Sequence, residues 1–173
     1  MAKENHEKRK IALLFICLGN ICRSPAAHAI MQRDVDEAGL SDRFFIDSAG
    51  IGPWHVGDLP DRRMRQHGAR QGLDICHIAR QFNAKTDFQT FDRIVVMDED
   101  NYRAIASKAT SEADRGKIIR MSDYLIDHPT AHSVPDPYYG DGSDFELALD
   151  LIEDVCRHLL AAIINKKDEL ALD

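Results

Sequence analysis

A parallel α/β sheet with helices on both faces is the fold class this sequence predicts, and three observations predict it. Short apolar runs of strand length, at residues 11–17, 44–46, 94–97 and 117–121, alternate with stretches whose apolar residues recur at helical spacing. Two runs, Ile11-Ala12-Leu13-Leu14-Phe15-Ile16 and Ile94-Val95-Val96-Met97, are apolar at successive positions, as strands buried on both faces require. A chain of 173 residues with 44% hydrophobic content suits one domain with one core. Strands joined through helices run parallel, with right-handed crossovers.

The elements follow in order. The first strand closes on Cys17. A helix over residues 25–38 is expected next, with Ser24 as N-cap, Pro25 at its first position, an apolar stripe of Ala27, Met31, Val35 and Ala38, and Gly39 as its stop. Phe44-Phe45-Ile46 forms a second strand that ends at Asp47-Ser48. A Gly/Pro-rich loop carrying Trp54 leads to a helix over residues 61–72. The third strand, 94–97, precedes a helix that starts near Asp98, and residues 117–121 supply the fourth strand. The last helix opens with a capping box of Ser143 and Glu146 and carries Ala148, Ile152, Val155, Leu159 and Ile163 on one stripe. Residues 1–10, mostly charged, read as a mobile tail, and residues 11–173 as a single domain without repeats or linkers. Ligands in such folds bind beyond the carboxyl ends of the strands, where Cys17, Ser48 and Met97-Asp98 are expected.

The segment Cys17-Leu18-Gly19-Asn20-Ile21-Cys22-Arg23-Ser24-Pro25 carries the chemistry. Strand, tight loop and helix N-terminus aim a row of backbone N–H groups at one point, a nest for a tetrahedral oxyanion. Gly19 and Asn20 tolerate the left-handed backbone such a loop needs. A free thiol, with a pKa near ~8.5, is mostly protonated at neutral pH, but a helix N-terminus and a nearby arginine lower it by several units. Cys17 would have both, with the Ser24 hydroxyl in reach and the Arg23 fork matching two phosphate oxygens. The parts describe a thiolate nucleophile facing a bound phosphoryl group. Cys17 also has a plainer reading as core filler, since free cysteine is commonly buried. The loop that follows it argues for the catalytic one.

This segment resembles the phosphate-binding signature of the low-molecular-weight protein tyrosine phosphatases. Further matches are Asp47-Ser48-Ala49-Gly50, His77-Ile78-Ala79-Arg80-Gln81, Met97-Asp98-Glu99-Asp100-Asn101 and Asp136-Pro137-Tyr138-Tyr139-Gly140, in the family's order over nearly the whole chain. The fold expected is then a single three-layer domain with a four-stranded parallel sheet in flavodoxin-like order 2-1-3-4. The resemblance implies hydrolysis of phosphotyrosine, or of small aryl phosphates, through a phosphocysteine on Cys17. It assigns the general acid, and then the base, to Asp136. Taken alone, Asp-Pro is a common turn dipeptide, and Asp127 and Asp141 are nearby carboxylates that chemistry by itself does not exclude. Asp98 offers a second carboxylate ranked below Asp136. The resemblance further implies that Ser48 and His77 hold Asn20 in its strained backbone, although His77 by itself reads as a surface histidine. It places Trp54, Tyr138 and Tyr139 as aromatic walls that select a flat phosphoaryl group, Trp54 having the alternative of a core anchor. Tyr138 and Tyr139 resemble tyrosines that a kinase modifies in some members.

Cys22 reads either as a small buried residue or as a thiol that traps oxidised Cys17 in a reversible disulfide. The net charge of −7 argues against nucleic acid as a partner. No apolar segment has the length of a membrane span. Residues 8–18 imitate a secretory signal but lack small residues where cleavage would fall. Four cysteines, Cys17, Cys22, Cys76 and Cys156, at irregular spacing suggest a reduced cytoplasm rather than a disulfide framework. No motif implies a metal or an organic cofactor: Cys17 and Cys22 are spaced too widely for a zinc knuckle and have no second pair. Two other functions fit the loop. One is a thiol-dependent arsenate reductase relaying through Cys76 and Cys156. The other is a non-catalytic phosphate or phosphotyrosine sensor, which would not need Cys17, Arg23 and Asp136 together.

Overall fold

Seven consecutive buried residues build the central strand of the protein, in a computed structural model that describes residues 9–165. In chain order the elements are β1 (Ile11–Cys17), α1 (Arg23–Glu37), β2 (Phe44–Gly50), α2 (Arg62–Arg70), α3 (Ala84–Thr90), β3 (Arg93–Val96), α4 (Glu99–Ala106), α5 (Glu112–Gly116), β4 (Ile118–Arg120), a 3-10 turn (Met121–Tyr124) and α6 (Gly142–Ile164). The four strands are parallel, in the order β2-β1-β3-β4, as expected. Successive side chains of β1 point to opposite faces. Leu13 and Phe15 join the layer formed with α1, α2 and α6, while Leu14 and Ile16 join the one with α3 and α4. All four are fully buried, each removal from water contributing roughly 1.5–3 kcal/mol.

Several local expectations are corrected. The helix after the loop starts at Arg23 with Cys22 at its N-cap position and no side-chain cap, because the Ser24 hydroxyl is already engaged by Cys17 and Asn20. Ala38 is exposed, one residue past the helix, and Gly39 ends it at φ 72°. β2 does not stop at Asp47-Ser48 but continues to Gly50, pairing residue for residue with β1 up to Cys17, so Ser48 lies inside a strand. The cap of α6 is Asp141, reciprocated by Asp144, rather than Ser143 and Glu146. Glu146 is drawn away to His67 and Gln71, and carboxylates accept backbone N–H bonds more strongly than a hydroxyl. The short helices α3 and α5 and the 3-10 turn were not expected, being too brief to show a period. Of the expected tail, residues 1–8 lie outside the described residues, as do residues 166–173. Arg9 is described and pairs with Asp92 at 2.8 Å. Among the described residues no helix is long and apolar enough to cross a membrane.

One close approach positions the loop. Opposite Cys17 stands Gly50, where a Cβ would lie 2.9 Å from the backbone carbon of Gly19 and 3.0 Å from the nitrogen of Asn20. Only glycine allows the end of β2 to pass beneath the curled loop. Two further backbone bonds, Ile51 N–H to Cys17 O and Gly52 N–H to Leu18 O, both 3.0 Å, continue the ladder under it.

Candidate active site

Cys17 ends β1 and α1 starts at Arg23, so residues 17–24 curl around the N-terminus of a helix. Asn20 has φ 59°, the single non-glycine residue at positive φ among the described residues. That conformation costs roughly 1–2 kcal/mol. Three hydrogen bonds offset it: Asn20 Nδ2 donates to Ser24 Oγ at 2.7 Å and to Ser48 Oγ at 3.0 Å, and Oδ1 accepts the Arg80 N–H at 3.0 Å. The Arg80 bond fixes which end of the amide is oxygen. With Asn20 donating to Ser24 Oγ, the serine's own proton is left for Cys17 Sγ, 3.0 Å away. The sulfur thus has a hydroxyl donor built into the loop.

Arg23 joins the loop to two other segments. Only 2% exposed, it donates through Nη1 to Asp98 Oδ2 at 2.6 Å and to Val134 O at 2.9 Å, and through Nη2 to Asp136 Oδ2 at 3.5 Å. Burial works against its charge, but Cys17, the Asp98 hydrogen bond and Asp136 outweigh it and hold the guanidinium above its ordinary value. Asp98, the N-cap of α4, therefore has its second oxygen committed to Arg23. Asp136 is more open and accepts the Tyr138 N–H at 3.1 Å, which fixes the Asp-Pro turn. The two competing carboxylates lie elsewhere: Asp127 pairs with Arg157, and Asp141 caps α6.

These groups open into one cavity of about 310 Å³, lined by Cys17, Cys22, Arg23, Trp54, His55, Asp136, Tyr138 and Tyr139 among others. Trp54 is 66% exposed and is no core anchor. Its ring lies over Gly52, where a Cβ would come within 2.0 Å of it. Tyr138 and Tyr139 meet edge to face, centroids 4.9 Å apart. His55, whose ring stands 6.4 Å from that of Tyr138, completes the rim and was not expected from sequence, where it has no motif of its own. Arg63 was also missed. It is held by Asp61, donates to Tyr138 O at 2.9 Å and stacks on the Tyr138 ring, tying the Asp-Pro turn to α2.

His77 requires a correction. The side chain of Asn20 bonds to Ser24, Ser48 and the Arg80 backbone, while His77 instead faces Asp47 (Nδ1 to Oδ1, 3.7 Å) and packs on His28. It bears on Asn20 through β2, not by contact: Arg80 occupies the place next to the amide because its guanidinium is anchored on Asp47 and Asp87. Cys22 is buried, and burial, followed by the charges of Asp61 and Cys17, pushes its thiol well above the ordinary range. Cys76 is exposed and Cys156 buried near Ala27, and neither lines the cavity.

The profile of one family, low molecular weight phosphotyrosine protein phosphatase, matches residues 12–169. The low molecular weight phosphotyrosine protein phosphatase of Schizosaccharomyces pombe is 42% identical over 79% of this chain and 85% of its own length. The human protein of that name is 37% identical over 89% and 96%. Among solved structures, a protein tyrosine phosphatase from Entamoeba histolytica superposes with a TM-score of 0.88 at 38% identity, over 92% of this chain and all of that one. YfkJ from Bacillus subtilis gives 0.85 at 38% identity, over 93% and 99%.

Proposed function

Because the chain belongs to the low molecular weight protein tyrosine phosphatases and is a phosphoric monoester hydrolase, we propose that it cleaves phosphotyrosine through a phosphocysteine on Cys17, with Asp136 moving the proton in both steps. The observation that carries this reading is the convergence of Cys17, Arg23 and Asp136 on one cavity. In the first step the Cys17 sulfur attacks phosphorus while the equatorial oxygens rest on the loop amides and on Arg23. The P–O bond to the phenol breaks, and Asp136 gives its proton to the departing oxygen. In the second step the same carboxylate takes a proton from water, which attacks the phosphocysteine and releases phosphate and the thiolate.

The walls propose the substrate. Cys17 is buried at the floor and Trp54 and Tyr138 rise at the rim, so a phosphoryl group must be carried inward on a flat, rigid arm. Phosphotyrosine has that reach and phosphoserine does not. Paired peptides of one sequence, assayed in EDTA, should differ in kcat/KM by at least about 100-fold in favour of phosphotyrosine, the upper range of what loss of apolar contact can supply. Comparable rates would remove the walls as the source of selectivity, and activity that vanishes in EDTA would remove the cysteine mechanism. The arsenate-reductase reading finds no relay, since Cys76 and Cys156 are away from the cavity.

A redox role is proposed for Cys22. Peroxide converts Cys17 to sulfenic acid; the Cys22 thiol then attacks that sulfur, water leaves, and a disulfide forms that a dithiol reduces. Burial disfavours the Cys22 thiolate and so slows this closure, but the disulfide, once formed, keeps Cys17 from advancing to irreversible acids. After a peroxide pulse and dithiothreitol, wild type should regain most of its activity and Cys22→Ser markedly less. Equal recovery would leave Cys22 as packing. A reduced compartment is proposed from the four unpaired cysteines. Tyr139, 95% exposed beside the cleft, makes a tyrosine kinase a proposed partner, with Tyr138 as a second, less open acceptor.

A further inference from the structure

Outside the cleft, His28 on α1, Asp47 on β2 and His77 between α2 and α3 each offer one ligating atom, and the three atoms lie within 4.8 Å of one another. Nδ1 of His28 and Nε2 of His77 are buried and have no hydrogen-bond partner. Buried polar atoms are rarely left so, because each unpaired one costs about 1–3 kcal/mol. The two rings stand 5.1 Å apart at 55°.

We propose that His28, Asp47 and His77 form a binding site for a divalent transition-metal ion, zinc first among them. Two imidazoles and a carboxylate are a recurrent three-ligand set for zinc, with water in the fourth place. Donors bonded to zinc at ~2.0–2.2 Å stand roughly 3.4 Å apart, so binding draws these three inward by about 1 Å, within reach of imidazole rotation in half-buried side chains. The carboxylate has an oxygen to offer. Arg80 takes Oδ2 of Asp47, at 3.1 Å from Nε and 3.0 Å from Nη2, whereas among the described residues Oδ1 accepts only the Ser48 N–H at 2.8 Å and already faces His77.

The surroundings suit a cation. His28 and His77 line a solvent-connected groove of about 550 Å³ that also carries Asp36, Glu37 and Asp74. Arg33 and Arg80 oppose them, but each is spoken for, Arg33 by Asp34 and Glu153 and Arg80 by Asp47 and Asp87. The other cluster of this kind among the described residues, Asp127, Asp154 and His158, is a poorer site. Asp154 already accepts from three backbone N–H groups and from the rings of His128 and His158, so it has no lone pair to give. An ion on Asp47 would brace the strand residue next to Ser48, which anchors Asn20. Metal at this site would therefore stiffen the catalytic loop from behind.

The test uses the full chain as Cys17→Ser, so that zinc cannot be held by the catalytic thiol. Equilibrium dialysis against Zn2+ should give one tightly held ion per chain. Added His28→Ala should weaken it by more than the ~10–100-fold that even outer-sphere partners are worth. The near-isosteric Asp47→Asn should do the same, with circular dichroism showing both variants folded. Co2+ in place of zinc should give visible d–d absorption without a thiolate-to-metal charge-transfer band. Three results would overturn the proposal: no stoichiometric ion, equal affinity in the folded His28→Ala variant, or a charge-transfer band that assigns the metal to Cys76.

Discussion

Cys17→Ser should lower hydrolysis of para-nitrophenyl phosphate by on the order of 10⁴-fold or more, while the chain stays folded and still binds phosphate. The substitution exchanges a sulfur for a smaller oxygen at a buried position whose only described side-chain partner is Ser24 Oγ at 3.0 Å, so packing is little disturbed. The chemistry is not replaced. A serine hydroxyl needs a base to become a nucleophile, and among the described residues no histidine or carboxylate bonds to this position. Asp136 sits across the cleft on the Arg23 guanidinium, where the proposed mechanism has it serve the leaving group. The loop amides and Arg23 remain, so phosphate should raise the melting temperature of the variant and of wild type alike, by mass action on the folded state. Turnover within about tenfold of wild type would move the nucleophile elsewhere. Loss of phosphate binding together with turnover would mean that the sulfur organises the loop rather than attacks.

Asp136→Ala should lower kcat by about 10²–10⁴-fold, the range of a positioned general acid. The loss should be largest for phosphotyrosine and smaller for esters of acidic phenols, whose oxygen leaves without a proton. Binding of phosphate should be undiminished. The Asp136 contact with Arg23 is the long one at 3.5 Å, and the 2.6 Å bond to Asp98 and the 2.9 Å bond to Val134 keep the guanidinium in place without it. Asp136→Asn preserves the turn bond to Tyr138 N–H and should show the same leaving-group dependence, which separates lost acid from lost shape. Equal loss for all leaving groups would make Asp136 a structural residue of its turn. No loss would return the role to another carboxylate, Asp98 being the nearest to Arg23.

The catalytic loop could be read directly because its parts are contiguous. Cys17, Asn20, Arg23 and Ser24 fall on one strand-loop-helix unit, and local backbone rules suffice to bring them to one point. The sheet was legible for a similar reason: strands buried on both faces leave an uninterrupted apolar run, and helices leave a period. Reading failed where two local groups compete for one partner. Ser24 was a plausible cap until Cys17 and Asn20 claimed its hydroxyl, and Glu146 a plausible capping partner until His67 claimed its carboxylate. It failed again where contact skips along the chain. Asn20 meets the Arg80 backbone rather than His77, three residues away, because a parallel strand edge decides which backbone group faces the loop.

Fold class, the proposed nucleophile Cys17 and the oxyanion cradle are legible in the sequence alone, since each is written in residues close enough for strand, turn and helix geometry to act alone. Tertiary structure decided what depends on the crossing of separate segments. It put Asp98, Val134 and Asp136 around one arginine, set Arg63 on the Asp-Pro turn and His55 on the rim, and laid His28 against His77 beside Asp47. Such juxtapositions are fixed by how the layers pack over β1 and by the register of β2 against it. Packing is a property of the whole core, and no spacing along the chain encodes it.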